Sequence, residues 1–201
     1  MQRSPIYRHP WLYSAVMRAL YVGSFQERYR VLAALIPEGS EVFEACAGDA
    51  YLYEKHLKHK AVRYSGGDLN TRFVAYAKQR GISLSLHDLT ADVVPLADFV
   101  VLQASLYQFI PQEVAIVEKL QRAARRMLIV AEPVRNLSTS RSALVRAIAR
   151  YSANPGDGHK AARFDESSLD TLFAGQFASD VVHSFLTPGG REKVYCLRGR
   201  A

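Results

Sequence analysis

The sequence predicts an α/β fold, a doubly wound and mostly parallel sheet with helices on both faces and a C-terminal antiparallel β-hairpin. Two patterns and a length predict it. Short apolar runs alternate with helical patterns from Glu41 to Pro133, the arrangement that right-handed crossovers impose on a parallel sheet. The rhythm then breaks, and two strand-like runs flank Pro188-Gly189-Gly190 near the end of the chain, as in a hairpin. The 201 residues suit one ordinary domain with a substantial core.

In chain order, a helix is expected after His9-Pro10 ("WLYSAVMRALY"), and a second from Ser24, where "SFQE" has the form of a capping box, to "IPEGS". Residues 1–36 thus read as a helical preface or lid, and residues 37–201 as the α/β domain. "EVFEA" reads as a strand and "YLYEKHLKH" as a helix. "AVRYSGGD" is the next strand, and "TRFVAYAKQR" a helix closed by Gly81. "ISLSLHD" and "ADFVVLQA" are the third and fourth strands. Pro111 opens the helix "QEVAIVEKLQRAARR", and "MLIVAEP" is the fifth strand. A helix "SRSALVRAIARY" and a loop "SANPGDGHK" follow, then Asp165 caps "ESSLDTLFAG". "SDVVHSFLT" and "EKVYCLRG" form the hairpin.

Composition narrows the functional classes. No apolar run approaches the ~20 residues of a membrane span, and the segment after Met1 lacks a signal-peptide core. Two cysteines, Cys46 and Cys196, make no disulfide framework and fit a reducing, cytoplasmic setting. No metal site is expected. His56 and His59 could share a helix face, but Lys55, Lys58 and Lys60 around them indicate a solvated one. The net charge of +7 is unevenly placed. Residues 1–36 set five arginines against Glu27, and residues 135–163 set six basic residues against Asp157. That excess would steer an anionic acceptor or meet an anionic surface; ordinary solubility explains it equally well.

Ligands of doubly wound sheets bind beyond the carboxyl ends of the strands. Glu44 closes the first strand there, and the small-residue turn Ala45-Cys46-Ala47-Gly48 lets backbone approach a ligand closely. A carboxylate at a buried strand end needs a cationic or hydrogen-bonding partner, which a ligand ammonium would be. Asp68, 20 residues beyond Gly48, is placed to grip ribose hydroxyls or else caps a turn. Asp88 after the third strand can accept from an adenine amino group or stand as a loop acid. Gln103 to Gln108 follow the fourth strand.

Over residues 37–200 the chain resembles the class I S-adenosylmethionine-dependent methyltransferases, which have a Rossmann-like fold. "EACAGDA" stands in the register of the family's acid and spaced glycines, with Glu44 as the acid and Gly48 as the central glycine. Cys46 and Ala50 replace the flanking glycines. "YSGGDLN" is similar to the ribose-binding segment and "SLHDLT" to the adenine-side segment. "ADFVVLQASLYQFIP" is similar to the fourth-strand segment, "LIVAEP" to the fifth strand, and the hairpin to the antiparallel seventh strand. The resemblance implies S-adenosyl-L-methionine as cofactor, bound by Glu44, Ala45, Cys46, Gly48, Asp68, Leu69, Asp88, Leu89, Gln103 and Ala104. A dinucleotide-dependent dehydrogenase fits less well, since its glycine pattern would fall on Cys46 and Tyr51.

The resemblance implies a methyltransferase acting on a small-molecule acceptor. Tyr107, just past the fourth strand, is the candidate for a direct role there; otherwise it covers the cofactor or packs. The aromatics Tyr7, Trp11, Tyr13, Tyr21 and Tyr29 could form a lid, though helix packing explains each of them more simply. No nucleic acid is expected, because "QASLY" replaces the Pro-Pro-aromatic turn of DNA amino-methylating enzymes and no aromatics interleave the basic residues. Two alternatives stand beside this reading. One is a binding protein of the same fold without turnover, motivated by Cys46 and Ala50. The other is a lipid or membrane-surface acceptor, motivated by Arg18 and the arginines Arg141, Arg146 and Arg150 beside apolar residues.

Overall fold

Val42, Phe43 and Ala45 are buried on the two faces of strand β1 (Glu41–Ala45), and the sheet is built outward from it. The computed structural model describes residues 24–135 and 163–201. The further strands are β2 (Arg63–Asp68), β3 (Leu84–Leu86), β4 (Ala97–Gln103), β5 (Ala124–Pro133), β6 (Val181–Leu186) and β7 (Glu192–Arg198). Across the seven-stranded sheet the order is β3-β2-β1-β4-β5-β7-β6. β1 pairs in parallel with β2 and β4, β2 with β3, and β4 with β5. β7 runs antiparallel to both β5 and β6. The order reverses direction between β1 and β4, so the crevice beyond their carboxyl ends is the place for a ligand.

Period-two alternation sends the strand side chains to two cores. Phe43, Val100, Leu102, Leu128 and Val130 face one core, with Leu120 and Phe173. Val42, Phe99, Val101 and Ile129 face the other, with Leu32, Ile36 and Leu57. The helices are α1 (Phe25–Ala34), α2 (Thr71–Gln79), α3 (Glu113–Ala123) and α4 (Glu166–Gln176). Asn70 caps α2 by accepting from the Arg72 N–H. Asp165 caps α4 in a reciprocal capping box with Ser168.

Several local expectations change. Ser24 precedes α1 as expected, but its side chain does not cap the helix: its backbone, at φ −112° and ψ 4°, lies outside the extended region that aims a hydroxyl at the third N–H. The helix after β1 is a π-turn, Tyr53–Leu57, running into a 3₁₀ turn, Lys58–Lys60. That winding keeps Leu57 wholly buried and stacks His56 on Tyr29, so His56 is half-buried, not solvated. Lys60 also turns inward, and its ammonium donates to the Ala33 and Ile36 carbonyls at the end of α1. α3 ends earlier than its pattern suggests, because Ala124 is already extended and pairs with Ala97 in the sheet.

Tyr29 packs in the second core, as a helix-packing residue would. The other aromatics of the preface, the expected helices "WLYSAVMRALY" and "SRSALVRAIARY", and Arg141, Arg146 and Arg150 lie outside the described residues. No described helix is long and apolar enough to cross a membrane.

Candidate functional site

Three residues of the turn after β1 adopt left-handed backbone: Cys46 at φ 54°, Gly48 at φ 56° and Ala50 at φ 55°. The alternation curls the chain back over the strand end. For Gly48 that conformation is free, whereas at Cys46 and Ala50 it costs about 1–2 kcal/mol each. The turn therefore keeps a glycine-type path without glycines at two of its three left-handed positions.

Asp68, at the end of β2, fastens this turn. Its Oδ2 accepts the Gly48 N–H at 2.8 Å, and its Oδ1 accepts the Asn70 N–H at 2.8 Å. The carboxylate is half-buried and stands at the strand end, beside the turn. Beside it Leu69 is 53 % exposed, an apolar surface left open at the strand end.

Glu44 lies beneath the turn, 4 % exposed. The Tyr64 hydroxyl donates to its Oε2 at 2.7 Å, and Tyr64 in turn stacks on Tyr53 at 4.2 Å between centroids. Gly66 makes this possible. A Cβ there would come within 2.8 Å of both the Tyr64 hydroxyl and Leu84. Gly67 gives way in the same manner to the His87 side chain, which a Cβ would meet at 2.6 Å. The glycine pair in "YSGGD" thus serves close packing around the turn.

Asp88 sits half-buried, and its Oδ1 accepts the Thr90 N–H and hydroxyl at 2.9 and 2.6 Å. Those bonds hold its carboxyl below the usual range. Leu89 is buried behind it. Gln103 belongs to a different network. Its Nε2 donates to Glu192 Oε2 at 3.1 Å, so the side chain is committed inside the sheet. Ala104, at φ 53°, donates to the Ala131 carbonyl and turns the chain toward Tyr107. The turn, Asp68 and Leu69 are thus adjacent across β1 and β2, while Gln103 and Ala104 belong to the β4–β5 side.

A 3₁₀ turn, Leu106–Phe109, follows β4. Tyr107 is buried, and the Arg163 guanidinium carbon lies 4.1 Å from its ring centroid. Glu132, at the end of β5 and 1 % exposed, accepts the Leu106 N–H at 2.9 Å and so anchors the turn. Glu132 was legible in the sequence by the sign that marked Glu44, an acid ending an apolar strand. Tyr64 and Arg163 carried no comparable signal.

Electrostatics separates the groups. Burial lifts the Glu44 carboxyl to about 8; the Tyr64 hydroxyl opposes this, and Asp49 and Asp68 add to it. Burial likewise lifts Glu132 to about 8 against the Leu106 N–H. Burial pushes the Cys46 thiol up to about 12, so it is no nucleophile near neutral pH. Carboxyls whose folded-state values are raised favour the fold while neutral. Their contribution is full below about pH 4 and is lost as pH rises through about 8. The free protein is therefore expected to lose unfolding free energy over that window, and Glu44→Gln or Glu132→Gln should each flatten the fall. Urea titrations across the window check this, and equal slopes in wild type and both variants would refute it.

Strand order, reversed C-terminal pairing and the acid-fastened turn together define the fold of the class I S-adenosylmethionine-dependent methyltransferases. The family model described as "Methionine biosynthesis protein MetW" matches residues 26–146, and the chain belongs to that family. No curated protein matches the chain. Among solved structures, magnesium protoporphyrin IX methyltransferase (ChlM) from Synechocystis with bound SAH is similar at 14 % identity and a TM-score of 0.63, over 93 % of this chain and 87 % of that one. A TehB-like SAM-dependent methyltransferase from Corynebacterium glutamicum is similar at 15 % identity and a TM-score of 0.59, over 96 % and 98 %. Human N-acetylserotonin methyltransferase in complex with SAM is similar at 14 % identity and a TM-score of 0.64. Here 98 % of this chain spans 59 % of that one.

Proposed function

We propose that this protein binds S-adenosyl-L-methionine and transfers its methyl group to a small-molecule acceptor. The observation that carries the reading is the left-handed turn 46–50 with the Gly48 N–H on the Asp68 carboxylate, a backbone cradle and an acid already assembled. The residues present fit the cofactor. Asp68 is a carboxylate at the end of β2, the place from which an acid meets ribose hydroxyls. Leu69 offers an open apolar surface for the base, and Asp88 and Leu89 follow the neighbouring strand β3. Glu44 is a buried carboxyl whose ionised form lacks a cationic partner among the bonds made to it, and an ammonium would supply one.

The bound cofactor supplies an electrophilic methyl group on a sulfonium. The protein's part is to align the acceptor in line with that carbon and to exclude water. Gly48 and its neighbours fix the donor by backbone contact. The Leu106–Phe109 turn, anchored by Glu132, brings Tyr107 to the acceptor side, where it shapes the pocket. The alternative of a binding protein without turnover rested on Cys46 and Ala50. Their left-handed backbone supports a glycine-type turn there; methyl turnover is what separates the two readings.

The test is calorimetry with S-adenosylhomocysteine followed by a methyl-transfer assay. Asp68→Ala should weaken binding by about 1.5–3 kcal/mol, the scale of hydrogen bonds to a charged group. Unchanged affinity in a folded Asp68→Ala protein would remove Asp68 from the site and the register with it.

A further inference from the structure

We infer that the acceptor carries an oxyanion, a carboxylate or a phosphate, and that Arg163 is the residue that receives it. The inference rests on the methyltransferase reading for the identity of the site, and on the side chains around Arg163 for its chemistry.

Arg163 stands over Tyr107, with its guanidinium carbon 4.1 Å from the ring centroid. Tyr107 belongs to the turn directly after β4, beyond the carboxyl end of the sheet where an acceptor must come. Stacking on a ring face holds the guanidinium plane in place while leaving its in-plane donors to point elsewhere. A guanidinium carries five N–H donors in a planar fork. The backbone is equally fixed. Phe164 is buried in the first core, and Asp165 is the N-cap of α4.

Against the larger effect of burial, which raises the Glu132 carboxyl, Arg163 acts electrostatically to lower it. Among the described residues Arg163 forms no ion pair. Two acids of the neighbourhood, Asp165 next along the chain and Glu132 beneath the Leu106–Phe109 turn, accept other donors. Asp165 accepts the Ser168 N–H and hydroxyl, and Glu132 accepts the Leu106 N–H from a site 1 % exposed. Several other arginines are matched to carboxylates, while Arg126, over the Phe99 ring, forms no ion pair among the described residues. Arg28 pairs with Glu192, Arg125 with Glu41 and Asp98, and Arg200 with Asp180. An arginine packed on a ring, with no ion pair among the described residues, presents the fork that oxyanions bind in bidentate fashion.

The experiment uses the full chain and two probes, inorganic phosphate and benzoate, titrated while the arginine Nε–H resonances are followed by NMR. Arg163→Lys and Arg163→Gln identify the Arg163 signal and serve as variants. Arg125→Gln, a paired surface arginine, is the control. The expected result is a saturable shift of the Arg163 resonance, an affinity roughly tenfold weaker in Arg163→Gln, and a smaller loss in Arg163→Lys, which keeps the charge without the planar fork. Arg125→Gln should bind as wild type does. The tighter probe assigns the acceptor's group. Pelleting with phosphatidylglycerol but not phosphatidylcholine vesicles, lost in Arg163→Gln, would assign a phosphate on a lipid headgroup in place of a soluble one.

A shift that does not saturate, or equal affinities in wild type and in an Arg163→Gln protein that melts at the wild-type temperature, would overturn the inference. Calorimetry with S-adenosylhomocysteine on the same samples separates the two readings. Lost cofactor binding with anion binding intact would sink the methyltransferase reading and spare the anion site. The reverse pattern would do the opposite.

Discussion

Gly48→Val should abolish detectable binding of S-adenosylhomocysteine, an effect of more than about a hundredfold, while the protein remains folded. Gly48 sits at φ 56°, where a β-branched residue is a steric outlier, and its N–H is bound to Asp68 Oδ2 at 2.8 Å. A valine would either push the turn out of its left-handed path or fill the space where backbone must meet the ligand. The first outcome also breaks the Asp68 bond. The neighbours sharpen the test. Cys46 and Ala50 already carry a Cβ in left-handed backbone, so the turn tolerates one at those two places. Gly48→Ala should therefore bind with intermediate affinity. Calorimetry together with a thermal melt reads both quantities, and a Gly48→Val protein that still binds and turns over would show that close approach at this residue is not required.

The largest expected loss of stability is at Glu192. Its Oε1 lies 2.9 Å from the Arg28 guanidinium, with the two side chains 0 % and 3 % exposed, and its Oε2 accepts from Gln103. Glu192→Ala leaves the arginine charge buried without its carboxylate, which costs about 3–5 kcal/mol. Replacing the pair together, Arg28→Met with Glu192→Leu, should cost much less, since an apolar pair carries no desolvation penalty. Urea unfolding of the two single variants and the double variant gives the coupling. A Glu192→Ala loss under about 1 kcal/mol would mean that the pair is not the anchor described.

The fold was legible because it depends on patterns that neighbouring residues carry. The runs "EVFEA", "ADFVVLQ" and "MLIVAEP" are apolar enough to be strands buried on both faces, and the spacing between them leaves room for crossovers. The Pro188-Gly189-Gly190 turn announced the hairpin. Asp165 announced its helix by the ordinary logic of a cap. Where local signals were thin, boundaries moved. The "QEVAIVEKLQRAARR" pattern continues past Ala123, yet pairing of Ala124 with Ala97 takes the chain into the sheet. The residues 51–59 read as one helix, and no local rule foretells a π-turn there.

The candidate site divides in the same way. Glu44, Gly48 and Asp68 were legible because each ends a strand or opens a turn. Gln103 occupied the expected position, but its side chain turns to Glu192, a partner 89 residues away. Tyr64 reaches Glu44 only because Gly66 clears its path, and Arg163 meets Tyr107 only through the tertiary fold. Contacts of that kind have no period and no spacing to read.

The insertion of β7 between β5 and β6 also orders events during synthesis. Until residues 192–198 have been made, β6 has no strand to pair with, and one edge of β5 stays open. Arg28, translated more than 160 residues before Glu192, waits as long for its counter-ion. A nascent chain can join β1 to β4 early, but the half of the sheet beyond β5 closes in a single late step. Through that interval the exposed edge of β5, with its run of buried-type residues Leu128 to Ala131, is the surface that a ribosome-bound chaperone would have to shield.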